Sequence, residues 1–123
     1  HWVATEPKWD GGNVKISVNG GPFVAVPYSR YVFNPPTGRL ESGNSNPLKG
    51  QWAFTGTDGG TLSGSWGQSQ IDLDGLVSPG DRIVLRFDFG VDGCNGAVGW
   101  YVDNIRLTAT SLAPRQSGGR VRP

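Results

Sequence analysis

Apolar and polar residues alternate in two stretches of the chain. Residues 14–18 place Val or Ile at every second position, and residues 82–89 place Ile, Leu and Phe at every second position, with Arg82, Arg86 and Asp88 facing outward. A period of two is typical of strands that bury one face. Both stretches lie between glycine-rich turns, so the pattern predicts two packed antiparallel sheets with essentially no helix.

Turn signals extend this prediction along the chain. Asn19-Gly20-Gly21-Pro22 predicts a tight hairpin, because Asn and Gly tolerate positive φ, with a returning strand over residues 23–26. Further strands are predicted over residues 2–6, 52–54, 65–73 and 99–107, the last with a bulge at Asp103-Asn104. The proline-containing stretch 27–50 is too long for a simple connector and is predicted to be a binding loop.

Length and charge narrow the class of protein. The 123 residues suffice for one domain, and 20 Gly with 9 Pro suit many short strands. A net charge of +1 supplies no field that would attract nucleic acid, and the apolar runs are too short to span a bilayer. We expect one β-sandwich domain over residues 1–110, followed by a basic tail, residues 111–123, which alone should be disordered.

Few residues suit catalysis. The single His and single Cys exclude most zinc sites, and a Ser–His–acid triad would have to use His1. A pair of carboxylates could serve a glycosidase, but no pair is singled out by the sequence. We therefore expect a protein that is not an enzyme.

Several short motifs together resemble a known type of module. The motifs are Trp9-Asp10-Gly11-Gly12, the 14–18 strand with Asn19-Gly20-Gly21, Asn46-Pro47-Leu48 with Ala53-Phe54, Ile71-Asp72-Leu73, the 82–89 strand and Gly99-Trp100-Tyr101-Val102-Asp103-Asn104-Ile105. In this order, they resemble the jelly-roll modules attached to bacterial secreted proteins, notably the C-terminal regions of immune-inhibitor-A-type metalloproteases, and more distantly MAM and galactose-binding-like domains. The resemblance implies an all-β, antiparallel jelly-roll-like β-sandwich and a secreted, extracellular accessory domain whose parent could be a hydrolase.

The same resemblance implies a structural calcium. Glu6, Asp10 and Asp103 lie in the segments most similar to these modules, and calcium prefers oxygen ligands from loops rich in Asp, Asn and Gly. In the alternative, Asp10 caps a turn and Asp103 bonds the neighbouring backbone. Asp58, Asp88 and Asp92 are weaker candidates that we expect to be solvated.

Aromatic residues near polar ones suggest a carbohydrate-binding platform. A sugar face stacks on an exposed ring, and nearby amide or guanidinium groups hydrogen-bond its hydroxyls. The predicted ligand-binding residues are Tyr28, Arg30, Tyr31, Asn34, Trp66 and Gln68. Five other aromatic residues share the parity of core positions and are expected to be buried: Trp52, Phe54, Phe87, Phe89 and Trp100.

The start of the chain suggests a missing neighbour. His1-Trp2-Val3 begins within strand pattern, the chain has no Met, and the resembling modules have earlier strands. We therefore expect an open sheet edge at residues 2–6 that another polypeptide completes. Cys94 is unpaired within the chain and is predicted to be either a buried small residue or half of a disulfide to such a partner.

Two functions remain open from the sequence. The first is a carbohydrate- or surface-binding accessory module that recognises a polysaccharide or a cell-surface glycan. The alternative is a structural or adhesive subunit completed by strand pairing with another chain.

Overall fold

The fold is all-β, with nine short strands and a single 3-10 turn in the described part of the chain. The computed structural model describes residues 1–57 and 66–109. The predicted tail, residues 111–123, and the turn predicted at residues 58–60 lie outside this range. The strands are β1 (Trp2–Ala4), β2 (Gly11–Val18), β3 (Val24–Ala25), β4 (Tyr31–Phe33), β5 (Gly38–Arg39), β6 (Trp52–Ala53), β7 (Gln70–Ile71), β8 (Ile83–Gly90) and β9 (Gly99–Tyr101), and the turn is Tyr28–Arg30.

The largest sheet has the order β3-β2-β8 and contains both of the alternating stretches. Strands β2 and β8 pair antiparallel over their full lengths, from Gly11 opposite Gly90 to Val18 opposite Ile83. The predicted hairpin between β2 and β3 is confirmed, with Asn19 at φ 52° and Gly20 at φ 74°. Two consecutive residues at positive φ match the right-handed twist of the flanking strands, which fixes the register of this sheet.

Three two-stranded antiparallel pairs complete the described structure: β1 with β9, β4 with β7, and β5 with β6. The prediction of an all-β antiparallel fold of sandwich type is therefore confirmed. No helix of the described residues has the length and apolar character needed to cross a membrane.

The core lies on one face of β2. Val14, Ile16 and Val26 are buried there, and half-buried apolar side chains from β4, β7, β8 and β9 pack against them. Phe54 is 1% exposed and connects this core to the N-terminus, because its ring lies 4.5 Å from the His1 ring and 5.7 Å from the Trp100 ring. A smaller cluster of Leu40, Leu48 and Ala53 lies under β5 and β6.

The expected open edge at residues 2–6 is wrong, because β1 is engaged on both sides. Strand β9 pairs with β1 along one edge. On the other edge, His1 exchanges two backbone hydrogen bonds with Gly67, of 2.6 and 2.7 Å, and Thr5 N donates to Gly56 O at 2.9 Å. Backbone groups that already have partners offer no template for an added strand.

The predicted strand over residues 99–107 is also shorter than expected. Pairing ends at Tyr101, and residues 102–109 have no strand partner among the described residues, so no bulge forms at Asp103-Asn104. Ile105 and Leu107 are consequently exposed.

Three aromatic residues expected in the core are partly exposed instead. Phe54 is buried and Trp100 is half-buried against the core, as predicted, but Trp52, Phe87 and Phe89 are 43%, 37% and 45% exposed. Phe87 and Phe89 lie on β8, which has one strand neighbour, β2, among residues 1–57 and 66–109. Trp52 pairs with β5, whereas Phe54 exchanges hydrogen bonds with Gly12 of β2. The chain changes partner between these residues, so their shared parity does not give them a shared face.

Candidate functional site

A cleft of about 400 Å³ opens between β3 and β6. Its volume lies within the range of small-molecule binding sites. Its side chains come from the large sheet, from the 3-10 turn and from β6, and they include Lys15, Phe23, Val26, Tyr28, Gln51 and Trp52. We call this surface the aromatic cleft.

Two partly exposed aromatic rings lie against each other in the aromatic cleft. The centroids of Tyr28 and Trp52 lie 4.9 Å apart at an interplanar angle of 44°, and the two residues are 48% and 43% exposed. Tyr28 belongs to the turn closed by a hydrogen bond from Arg30 N to Pro27 O at 2.9 Å. Within the described residues, neither the Tyr28 hydroxyl nor the Trp52 indole N–H has a hydrogen-bond partner. Each ring therefore offers an apolar face and an available polar group.

Two cations beside the aromatic cleft share one carboxylate. Asp88 accepts from Lys15 Nζ at 2.8 Å, and its two carboxylate oxygens accept from Arg86 Nε and Nη2 at 2.8 and 3.0 Å. Burial raises the pKa of Asp88, but these hydrogen bonds and charges outweigh it and hold that pKa below its ordinary value. The Arg86 guanidinium also lies 4.2 Å above the Phe23 ring. Both cations beside the cleft are thus engaged in ion pairs with Asp88 and are not free to bind a ligand.

The six predicted ligand-binding residues do not form one exposed platform. Tyr28 lies in the aromatic cleft, while Arg30 donates from its guanidinium to the Asp74 carbonyl. Tyr31 packs beside the core with its ring 6.0 Å from Phe54, and burial raises its pKa well above the ordinary value. Asn34 is buried, and its carbonyl accepts from Ser69 Oγ at 2.7 Å.

Trp66 and Gln68 are exposed, as a binding role requires. They flank Gly67, whose backbone pairs with His1. Their participation in ligand binding stays a prediction, separate from the Tyr28–Trp52 pair. Phe23 and Trp52 were not predicted from the sequence to lie at a binding site. Trp52 has the parity of a core position, and Phe23 lies in the strand that returns from the hairpin, so neither position indicated exposure.

A second candidate site is a cluster of three carboxylates. Glu6, Asp10 and Asp92 each bring one oxygen to within 4.8 Å of the others. A turn before β2 brings the first two together, because Trp9 N and Asp10 N both donate to Glu6 O, at 3.2 and 3.1 Å. The pairing of Gly11 with Gly90 brings Asp92 beside Asp10, and the Asp92 N–H donates to Asp10 Oδ1 at 3.0 Å.

One oxygen of this acidic cluster has no protein partner. Glu6 Oε2 is buried and makes no hydrogen bond, although a buried carboxylate oxygen normally accepts at least one. Burial raises the pKa of Glu6, and the charges of Asp92 and Asp10 raise it further. Asp10 itself is 2% exposed. The cluster is electrostatically unfavourable without a cation, and its oxygen-only ligands are the type that calcium prefers.

The acidic cluster differs from the predicted set of calcium ligands at one position. Asp103 is exposed and accepts a hydrogen bond from Asn104 N at 2.7 Å, as the alternative interpretation expected. Strand β9 ends at Tyr101, so nothing carries Asp103 toward Glu6 and Asp10. Asp92, expected to be solvated, takes its place. Asp92 could be identified only from the β2–β8 register, because that register places the end of β8 beside the start of β2.

His1 and Cys94 are the remaining residues with reactive side chains. The His1 ring accepts from Trp100 Nε1 at its Nδ1, at 3.3 Å, and its Nε2 lies 2.7 Å from Ser69 Oγ. In a Ser–His–acid triad, Nδ1 would instead donate to the acid. Cys94 is an exposed free thiol, so the expectation of a buried small residue is wrong, while a disulfide to a partner stays a prediction.

Comparison with protein-family models, with curated proteins and with solved structures finds no match for this chain.

Proposed function

We propose that this chain is a non-catalytic, extracellular carbohydrate-binding module that binds a neutral glycan over the exposed faces of the Tyr28–Trp52 ring pair. The observation that carries the proposal is the pair of half-exposed facing rings in a cleft of about 400 Å³. The C–H faces of a pyranose ring are apolar and its hydroxyls lie at the edge. Two tilted aromatic rings with an available O–H and N–H suit both features.

The electrostatics of the aromatic cleft favour an uncharged ligand. Lys15 and Arg86 are both paired with Asp88, so recruiting them to an anionic sugar would break an existing ion pair. The chain's net charge of +1 adds little attraction for a polyanion. A neutral polysaccharide requires no such rearrangement.

Replacing Trp52 with Ala is expected to weaken glycan binding by about tenfold or more, because one stacking face is worth roughly 1–1.5 kcal/mol beyond its buried area. Tyr28→Ala should have a similar effect. Binding is measured by affinity electrophoresis against a panel of neutral polysaccharides and confirmed by titration calorimetry with an oligosaccharide of the retained polymer.

Trp66→Ala is the matched control, since it removes an exposed Trp outside the aromatic cleft. Loss of binding in Trp66→Ala with full retention in Trp52→Ala would move the site to the Trp66–Gln68 segment. No retention on any polysaccharide by a folded wild-type chain would contradict the proposal altogether.

We also propose that the module is stabilised by a calcium ion held by Glu6, Asp10 and Asp92. Two observations support this: the convergence of three carboxylates and the buried Glu6 oxygen that lacks a partner. Bound calcium would supply positive charge at the point where β1, β2 and β8 come together. The protein's own hydrogen bonds hold the turn that carries Glu6 and Asp10, since the Thr5 and Thr55 hydroxyls donate to Asp10 O at 2.9 and 2.6 Å.

Calcium is expected to raise the melting temperature and chelator to lower it. At a hundredfold excess of calcium over its dissociation constant, linkage gives about 2.7 kcal/mol of added stability. Asp92→Asn should remove most of this increment, yet be no less stable than wild type in chelator, because it relieves carboxylate repulsion. Asp103→Asn is the control and should keep the full response to calcium in differential scanning calorimetry. Equal calcium responses in Asp92→Asn and wild type would refute the assignment.

A further inference from the structure

Within the described part of the chain, strand β8 is an edge strand with a partner along one side. Among residues 1–57 and 66–109, its single strand partner is β2. It is one of the two longest strands, at 8 residues, and Phe87 and Phe89 on it are 37% and 45% exposed. A long edge with exposed apolar side chains is a ready template for strand addition.

Hydrogen bonds in the sheet identify the backbone groups on this open side. Val14 O accepts from Val26 N at 2.9 Å, so the backbone polar groups of Val14 face β3. Val14 is opposite Phe87, which makes these two a non-hydrogen-bonded pair. The N–H and C=O groups of Phe87 therefore point away from β2, and so do those of Leu85 and Phe89, two positions away.

We propose that this edge binds β8 of a second copy, antiparallel, about a two-fold axis at Phe87. In that register Phe87 meets its own counterpart and Leu85 lies opposite the second copy's Phe89. Each pair exchanges two backbone hydrogen bonds and joins apolar side chains on one face.

The charges on the opposite face select this register. Arg86 and Asp88 already pair within each copy. This axis also sets Arg86 of each copy opposite Asp88 of the other, so the two ion pairs join into one cluster of alternating charge. The two residues form a non-hydrogen-bonded pair across the interface, the arrangement that brings side chains closest. An axis at Arg86 would instead place two guanidinium groups against each other. Charged residues of one sign commonly protect an edge from pairing, but opposite charges two positions apart favour self-pairing.

The test compares two reversals of charge on the intact chain, Arg86→Asp and Arg82→Asp. Sedimentation velocity should find a concentration-dependent dimer of the wild type. Arg86→Asp sets Asp against Asp88 at two points and should raise the dimer dissociation constant by about tenfold or more. Arg82 precedes β8 and has no strand counterpart in this register, so Arg82→Asp should dimerise as wild type does. A wild type that stays monomeric at every concentration, or equal effects of the two variants, would overturn the proposal.

Disulfide trapping tests the register directly. In a Cys94→Ser background, Phe87→Cys should cross-link on mild oxidation, because hydrogen-bonded antiparallel pairs hold their Cα atoms about 5.5 Å apart, which suits a disulfide. Leu85→Cys should not cross-link, since its counterpart is Phe89. Cross-linking through residue 85 and not through residue 87 would refute the axis. Glycan binding by the wild type, measured below and above its dimer dissociation constant, reports on the aromatic cleft with every side chain intact, so the two proposals can fail independently.

Discussion

Replacing Phe54 with Ala is expected to lower the free energy of unfolding by about 3–5 kcal/mol, the typical loss for a buried Phe. Phe54 is 1% exposed and contacts the rings of His1, Tyr31 and Trp100. Its removal opens a cavity where the N-terminal strand, β4 and β9 meet the core. Since small domains are stable by only about 5–15 kcal/mol, the melting temperature should fall steeply.

Urea unfolding followed by Trp fluorescence measures this loss. Phe54→Leu serves as a graded variant that should retain enough stability for a full transition. Phe33→Ala is the matched control, because Phe33 is 49% exposed on β4 and should cost less than half as much. Similar losses at residues 54 and 33 would mean that Phe54 does not organise the core.

The second large effect is expected from adding a single methyl group at Gly12. A Cβ at this position would lie 2.2 Å from Trp100 Cε3 and 3.0 Å from Asp88 O. The Trp100 ring cannot retreat freely, because it is stacked on Phe54. Overpacking of this kind costs roughly 1–3 kcal/mol, so Gly12→Ala should be clearly destabilised.

A double-mutant cycle with Trp100→Ala identifies which contact destabilises the Gly12→Ala variant. If the clash with the indole dominates, Gly12→Ala should cost much less when Trp100 is already absent, giving a coupling energy above about 0.5 kcal/mol. Gly43→Ala is the control, since an added Cβ there meets no atom within 4 Å. Strictly additive effects of the two substitutions would point to the backbone contact with Asp88 instead.

The large sheet was predictable because local signals and long-range pairing agree there. Period-two alternation marks β2 and β8, and Asn19-Gly20 supplies the turn conformation that a two-stranded hairpin needs. These strands remain regular for eight residues each, so their pairing could be predicted, although parity placed Phe87 and Phe89 of β8 in the core and both are partly exposed. The fold class follows from them.

Parity failed where the strands are short and change partners. Trp52 and Phe54 are two positions apart, yet one pairs with β5 and the other with Gly12 of β2. Local sequence carries no sign of that change. The aromatic cleft was therefore only half predicted, through Tyr28, and its second ring was assigned to the core.

The acidic cluster was missed in part for a related reason. Glu6 and Asp10 are close in sequence and could be predicted together. Asp92 joins them across 82 positions of chain, through the pairing of Gly11 with Gly90. Such a neighbour follows from sheet register, which hydrophobic pattern alone does not determine.

The pairing of β1 with β9 has a consequence for the order of folding. Val3 is opposite Trp100, so this contact closes almost the whole described chain into one loop. Loop-closure entropy delays such contacts, and proteins rich in them fold slowly. The hairpin of β2 and β3 can form early, whereas β1 must wait on the ribosome until β9 has been synthesised. During that interval Val3 and Phe54 lack the cover of Trp100, and this is the period in which a nascent chain depends most on chaperones.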